Sequence, residues 1–219
     1  MNARINNEYG ENEMKKKSVP PVELTTARLK LRQLKATDAP AIFSGWTYDP
    51  EVARYLTWSP HKDVDATERV LQYWLNEYRK PDCIRYGIEL IENGMLIGMI
   101  DVVGYSEGNP VVGYCLSRKY WNQGYMSEAF SSFIELLFDI GHRTIFIEAV
   151  KENTGSIRII EKHGFVFLGC KEFALSPEKP EPVTIRAYRL DKSRYRRLKK
   201  VSITERIRKL LKGYKHHLK

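Results

Sequence analysis

Hydrophobic positions along the chain recur with two different periods, and each change of period marks an element. Leu29 and Leu31 alternate with Arg28, Lys30 and Arg32, the period of a strand with one wet face. Organised structure is expected from near Leu24. Thr37 or Asp38 is placed to cap a short helix running through Ser44. Asp49-Pro50 reads as an N-cap followed by a first-turn proline, opening a helical turn to Leu56. From about Asp65, residues Val70, Leu71, Trp74, Leu75 and Tyr78 recur at helical spacing and stop before Pro81. Two strands follow, Ile84–Ile91 and Met95–Val103, with Glu92-Asn93-Gly94 as a tight hairpin turn between them.

A third strand, Val111–Leu116, runs into the polar segment Ser117–Gly124. The next helix carries Met126, Ala129, Phe130, Phe133, Ile134, Leu137 and Phe138 on its apolar side. Thr144–Val150 is a continuous apolar-rich run of the kind buried between layers. Asn153 precedes a helix from about Thr154 to Lys162, which Gly164 ends. Phe165–Cys170 and Val183–Leu190 read as two last strands, with the proline-rich stretch Ser176–Pro182 as a loop between them. Strands mostly adjacent in sequence, with helices inserted at two crossovers, predict a mixed α/β sheet and not a doubly wound parallel one.

Composition adds constraints. A hydrophobic content of 42% and an aromatic content of 11% support a real core and exclude wholesale disorder. No run approaches the roughly 18 apolar residues of a membrane span, and Met1 to Val19 lacks the apolar segment of a secretory signal. Cys83, Cys115 and Cys170 form neither a CxxC pair nor a His-flanked metal spacing, so no metal is expected and a reducing cytoplasm is. Residues 1–21 read as a flexible leader, residues 22–192 as one domain and residues 193–219 as a basic tail.

The formal charge of +9 is unevenly spread. From Asp191 to Lys219 there are twelve Lys/Arg against two Asp/Glu, which leaves the rest of the chain at −1. That distribution weakens any reading of the body as a basic nucleic-acid surface. In the tail, Ile203, Ile207, Leu210, Leu211, Tyr214 and Leu218 form one helical stripe among Arg206, Arg208, Lys209, Lys212 and Lys215, with Ser202 and Glu205 at capping-box spacing. Docking on protein (the body, or a second copy in a homodimer), on an anionic membrane or on RNA are the three readings of this helix.

The chemistry concentrates between Val111 and Phe165. A polar loop carrying Gly124 runs from a strand end into a helix N-terminus, where backbone N–H groups lack intrahelical partners and the helix dipole favours an anion. From the loop alone, a phosphate cradle and an ordinary strand-to-helix turn are equally open.

Three motifs carry a resemblance: Gly113-Tyr114-Cys115-Leu116, Trp121-Asn122-Gln123-Gly124-Tyr125, and Asn153-Thr154-Gly155-Ser156-Ile157-Arg158 continuing through Glu161-Lys162-His163-Gly164-Phe165. In this order and spacing they resemble the GNAT N-acetyltransferase superfamily, and within it the ribosomal-protein-alanine N-acetyltransferase (RimJ/RimL-like) branch. A weaker likeness runs from Thr25-Thr26-Ala27-Arg28-Leu29 to about Leu190. The resemblance implies a mixed, mostly antiparallel sheet with a splayed pair of strands flanked by helices. It implies acetyl-CoA as co-substrate, with pantetheine along Cys115 and Leu116 and pyrophosphate on the loop Asn122, Gln123, Gly124, Tyr125, Met126 and Ser127. Asn153 would hydrogen-bond the pantetheine arm, or simply cap its helix.

Two departures stand out. Met126 replaces a usual Gly or Ala, and Ile160 occupies a position where many members carry a tyrosine acid. Ser156 matches a serine given that acid role in the branch, against the plainer reading of a first-turn serine bonding local backbone. Glu89, Asp101 and Glu107 are candidates for a base, none preferred. The acceptor is a primary amine, of a protein N-terminus or of a small molecule such as a polyamine or aminoglycoside. A silent acyl-CoA-binding module targeted by its tail is the reading from another class. Acceptor choice is expected from the ring-rich stretch Phe43–Tyr78, with Trp46, Tyr48, Tyr55, Trp58, Tyr73 and Trp74, most of them core.

Overall fold

A computed structural model of the chain describes residues 22–201. The leader 1–21 and the amphipathic stripe of residues 202–218 lie outside the described residues. Among the described residues, eight strands form one sheet in the order β1-β2-β3-β4-β5-β6-β8-β7. They are β1 (Leu24–Thr25), β2 (Leu29–Arg32), β3 (Arg85–Leu90), β4 (Leu96–Ser106), β5 (Asn109–Leu116), β6 (Thr144–Val150), β7 (Val166–Ser176) and β8 (Lys179–Asp191). Every neighbouring pair is antiparallel except β5 with β6, which is parallel. This is the mixed, mostly antiparallel sheet that was expected.

Helices cover both faces. On one face lie α1 (Ala39–Ile42), continuing as a wider turn over Phe43–Thr47, then α2 (Pro50–Ala53) and α3 (Val64–Glu77). Their core buries Ile42, Trp46 and Leu71 against Leu96, Met99 and Cys115. On the other face lie α4 (Tyr125–Asp139) and α5 (Thr154–Lys162). There Phe130, Phe133, Leu137 and Ile160 pack on Leu29, Leu31, Ile88, Ile100 and Ile147. Alternation along β4 and β5 sends neighbouring side chains to opposite cores, Leu116 to one and Cys115 to the other.

Four expectations need correction. Ser176–Pro182 is no loop: β7 and β8 form a long hairpin paired from Val166↔Arg189 to Ser176↔Lys179. The prolines fit because β6 pairs β8 only from Ile185 onward, so Pro180 and Pro182 fall where one edge of β8 carries no ladder. Asp38 does not cap α1 with its side chain; the carboxylate turns inward to Arg32, and the helical path runs on past Ser44 to Thr47. Asp49 caps α2 by accepting from Glu51 N at 3.0 Å, but the α-helix ends at Ala53, short of Leu56. The strand expected to begin at Val111 begins at Asn109, because Glu107 and Gly108 both take positive φ (51° and 72°) and turn β4 directly into β5.

Residues 192–201 are helical and lie against the domain. Tyr195 packs 5.0 Å from the Phe138 ring, Arg194 Nε donates to Gly164 O at 2.6 Å, and Lys199 pairs with Glu135. The first turns of the segment read as tail are thus bound to the ends of α4 and α5.

One irregularity places the site. The parallel ladder between β5 and β6 consists of Val111↔Phe146 and Val112↔Ile147 alone. Beyond Val112 the strands part, so Gly113–Leu116 presents a main-chain edge on the side away from β4.

Candidate functional site

The loop that follows β5 is held from three directions. Trp121 donates its indole N–H to Leu116 O at 2.7 Å, fastening the loop to the last residue of β5. Gln123 turns its side-chain amide back onto Lys119 O at 2.7 Å. Arg28, just before β2, donates from Nη1 to Gln123 O at 3.1 Å while its guanidinium lies 4.1 Å over the Tyr125 ring.

Into this frame the chain turns through Asn122 and Gly124, with φ of 59° and 81°. Among the described residues no side chain caps α4. The first-turn bond is Glu128 N to Gly124 O at 3.0 Å, so the N–H groups of Tyr125, Met126 and Ser127 come before any helical acceptor. They open toward the loop with the positive end of a 15-residue helix behind them. Backbone N–H groups so arranged are suited to an anion, and we call the turn that carries them the cradle.

Side chains from the first and third motifs meet nearby, and one of them reaches the opening turn of α4. Asn153 caps α5, its Oδ1 accepting from Ser156 N at 3.1 Å. The Ser156 hydroxyl lies 2.9 Å from Tyr114 Oη, joining the first turn of α5 to the β5 wall of the split. Tyr114 rests against Phe130 at 5.4 Å between centroids, and burial pushes its phenol up to about 12. From the far end of α5, His163 sets Nε2 3.1 Å from Ser127 O and so ties α5 to the opening turn of α4.

The chain matches the family model described as "Acetyltransferase (GNAT) domain" over residues 28–166. It belongs to the GNAT acetyltransferase family. The matched span begins at the arginine that braces the loop and ends at the first residue of β7, so it encloses the cradle and the split. An uncharacterized N-acetyltransferase of Bacillus licheniformis, p20, is 28% identical over 149 residues, 65% of this chain and 81% of that protein. A crystal structure of a GCN5-related N-acetyltransferase from Brucella melitensis superposes with a TM-score of 0.70 at 18% identity, covering 84% of each chain. RimL, a ribosomal L7/L12 alpha-N-protein acetyltransferase, gives a TM-score of 0.66 at 17% identity over 76% of this chain and 91% of its own.

In this GNAT domain the residues expected to hold a cofactor divide by which atoms reach the cleft. The Cys115 side chain sits among Ile42, Trp46 and Met99, where burial pushes the thiol well above its ordinary range, so only its main chain borders the split. Met126 is buried beside Phe130, which explains a large residue at a position usually small: its side chain points into the core and its N–H to the loop. Leu116 also gives its side chain to the core. Asn122, Gln123 and Gly124 are exposed, and Tyr125, Ser127, Asn153 and Ser156 are half-buried.

The base candidates are sharply reduced. Glu107 stands at the β4–β5 turn, seven residues and roughly 24 Å of strand from Tyr114. Glu89 is committed to Arg32 Nε at 2.5 Å. Asp101 lies in β4 opposite Gly113, paired with Arg85 Nε at 2.9 Å; burial raises its carboxyl pKa and the arginine only partly offsets this.

Among the aromatic residues of Phe43–Tyr78, Trp46 is wholly buried, Trp58 and Trp74 pack at the edge of that core, and Tyr48 and Tyr73 are exposed. Arg118 Nε meets the Asp49 cap of α2 at 3.0 Å, which ties the segment beside Tyr48 to the stretch that leaves β5. Three residues that brace this region escaped the sequence reading. Arg28 grips the loop from outside its motif, Glu128 holds Arg28, and Lys179 fastens the β7–β8 hairpin to α2. Arg28 stands in the weaker N-terminal stretch of likeness, the one signal that could have found it; Lys179 lay in a segment read as loop.

Proposed function

We propose that this GNAT domain binds acetyl-CoA and passes its acetyl group to a primary amine by direct attack, with a protein N-terminal amine as acceptor. The observation that carries the reading is the uncapped N-terminus of α4, opened by Gly124 beside the split of β5 and β6. Backbone N–H groups of Gln123 to Ser127 suit a pyrophosphate, and the free edge of Cys115 and Leu116 suits the amide-bearing pantetheine arm. Asn153 spends Oδ1 on its own helix, which leaves its Nδ2–H groups for that arm. The co-substrate supplies an activated thioester, and the chain's task is to hold it, exclude competing water and manage two protons. Ser156 donates to the departing sulfur, a role worth ~10²–10⁴-fold in rate.

The likeness to RimL, a ribosomal L7/L12 alpha-N-protein acetyltransferase, favours a protein N-terminus over a small amine as the first acceptor to try. The same reading places the protein in the cytoplasm; among the described residues no helix is long and apolar enough to cross a membrane. The test is release of CoA thiol across a panel of N-terminal peptides, polyamines and aminoglycosides, beside a thermal-shift titration with acetyl-CoA. Peptide-dependent release with saturable stabilisation is expected. No stabilisation by acetyl-CoA defeats the reading; stabilisation without release for any amine supports the silent binding module.

A further inference from the structure

Two hydroxyl groups face each other where β5 leaves β6. Tyr114 stands two residues beyond the last paired residue of β5, on the wall of the split. Ser156 stands in the first turn of α5, and its Oγ lies 2.9 Å from Tyr114 Oη. The phenol also lies 3.4 Å from Ser156 O, a longer contact to a carbonyl of the helix backbone.

We propose that Tyr114 is a positioning residue for acetyl transfer: its phenol donates to Ser156 Oγ and so directs the serine's own proton into the split. The proposal rests on the reading of Ser156 as the donor to the departing sulfur. A phenol is a stronger acid than an alkanol, so within the pair Tyr114 is the better donor. The ring cannot swing away, because Phe130 meets it edge-on at 5.4 Å and Phe130 is itself stacked on Phe165 at 5.6 Å. Burial holds the phenol protonated at every working pH, so the O–H is always there to be given. The serine is fixed from its other end, its N–H bound to Asn153 Oδ1 at 3.1 Å. With main chain anchored and Oγ accepting from Tyr114, the hydroxyl proton has the cleft left as its direction.

During transfer Ser156 gives that proton to the sulfur whose bond to the acetyl carbon breaks as the amine nitrogen bonds the same carbon. The proton shed by the nitrogen returns to Ser156 through solvent. Tyr114 keeps its proton throughout and acts on the serine alone.

The experiment compares wild type, Tyr114→Phe, Ser156→Ala and the double variant. Acetyl-CoA is the donor, and hydroxylamine, neutral at pH 7, is a nucleophile that needs neither base nor acceptor pocket. Tyr114→Phe should lower kcat about five- to tenfold, the scale of one hydrogen bond. KM for acetyl-CoA, Kd for CoA and Tm should stay at wild-type values. In the Ser156→Ala background the same change should do nothing further. Placing 3-fluorotyrosine, a stronger donor, at 114 should restore kcat, which separates the hydrogen bond from packing should Tyr114→Phe lose stability. Full kcat in Tyr114→Phe, or an equal loss with Ser156 already removed, overturns the role of Tyr114. An unchanged Ser156→Ala instead defeats the acid role on which it rests. No turnover by wild type with any amine defeats the transferase reading itself.

Discussion

Arg28 and Glu128, a hundred residues apart, share two contacts: Arg28 Nε reaches Glu128 Oε2 at 2.7 Å and Arg28 N reaches Oε1 at 2.9 Å. Thr26 adds its hydroxyl to Oε1 at 2.6 Å. The edge of the sheet is thereby bolted to the first turn of α4, and the same arginine carries the cradle loop on Nη1. Arg28→Ala should weaken acetyl-CoA binding about three- to tenfold, the ~1 kcal/mol of a half-exposed charged contact, with kcat unchanged. Isothermal titration beside initial rates checks it; an unaltered Kd shows that the loop holds its shape without the clamp.

The same clamp has a pH dependence of known sign. Partial burial pushes the Glu128 carboxyl up, but hydrogen bonds from Thr26 and Arg28 and the arginine's charge outweigh it and hold the group below the ordinary range. A depressed carboxyl contributes stability that is complete above its unfolded value of about 4.3 and fades as pH falls through the lower folded value. CoA affinity should therefore lose its Glu128-dependent part only in that acid window. Glu128→Gln should flatten this limb, followed by fluorescence titration from neutral to acid pH.

At Gly124 the backbone sits at φ 81°, and an added Cβ would stand 3.4 Å from Arg28 Nη2. A residue with a Cβ in this conformation costs roughly 1–2 kcal/mol. Gly124→Ala should lower stability by that amount in urea unfolding. It should also raise Kd for acetyl-CoA more than Arg28→Ala does, since it bends the cradle itself. A wild-type Kd in Gly124→Ala would move the anion site away from this turn.

The buried cluster opposite needs its arginine. Arg32 donates from Nη1 and Nη2 to the two oxygens of Asp38, at 2.8 and 3.0 Å, and from Nε to Glu89 at 2.5 Å, with 7% of its side chain exposed. Removing it leaves a buried carboxylate, Asp38, and a half-buried one, Glu89, without their counter-charge. Arg32→Ala should cost about 3–5 kcal/mol, and Arg32→Lys should recover part of the charge but not the fork that grips both Asp38 oxygens. Denaturant midpoints decide it. A loss below ~1 kcal/mol for Arg32→Ala would return Glu89 to the list of possible bases.

How far the fold was legible follows from how local each signal was. β6 and α5 occupy the residues expected of them, Thr144–Val150 and Thr154–Lys162, because an apolar run, an Asn153 cap and Gly164 at φ 83° all act within a few residues. The β7–β8 hairpin was not legible, since Pro177, Pro180 and Pro182 argue for a loop until the ladderless edge of β8 is known. Glu107 hid a turn because a non-glycine residue at positive φ gives no composition cue. In the site, the backbone cradle could be anticipated from Gly124 and the motifs. The meeting of Tyr114 with Ser156, 42 residues on, and of Arg28 with Glu128 could not, because each depends on how the layers stack.

Lys179 is the last such long-range contact, and it bears on the acceptor. Its ammonium donates to Ala53 O at 2.6 Å, Leu56 O at 3.0 Å and Trp58 O at 2.8 Å, satisfying carbonyls left over where α2 ends. The β7–β8 hairpin is so latched onto the ring-rich segment that lies near the end of β5, with Tyr55, Val150, Leu175 and Ile185 packed beneath the latch. Lys179→Met keeps the length of the stem and removes all three donors. It should cost about 1–3 kcal/mol and raise KM for the amine acceptor severalfold while leaving Kd for acetyl-CoA at the wild-type value, because the cradle lies on the other side of the split. Steady-state kinetics at saturating acetyl-CoA, with CoA titration as control, separates the two. An unchanged acceptor KM beside lost stability would make the latch purely structural, and equal changes in both constants would mean that the hairpin shapes the whole cleft.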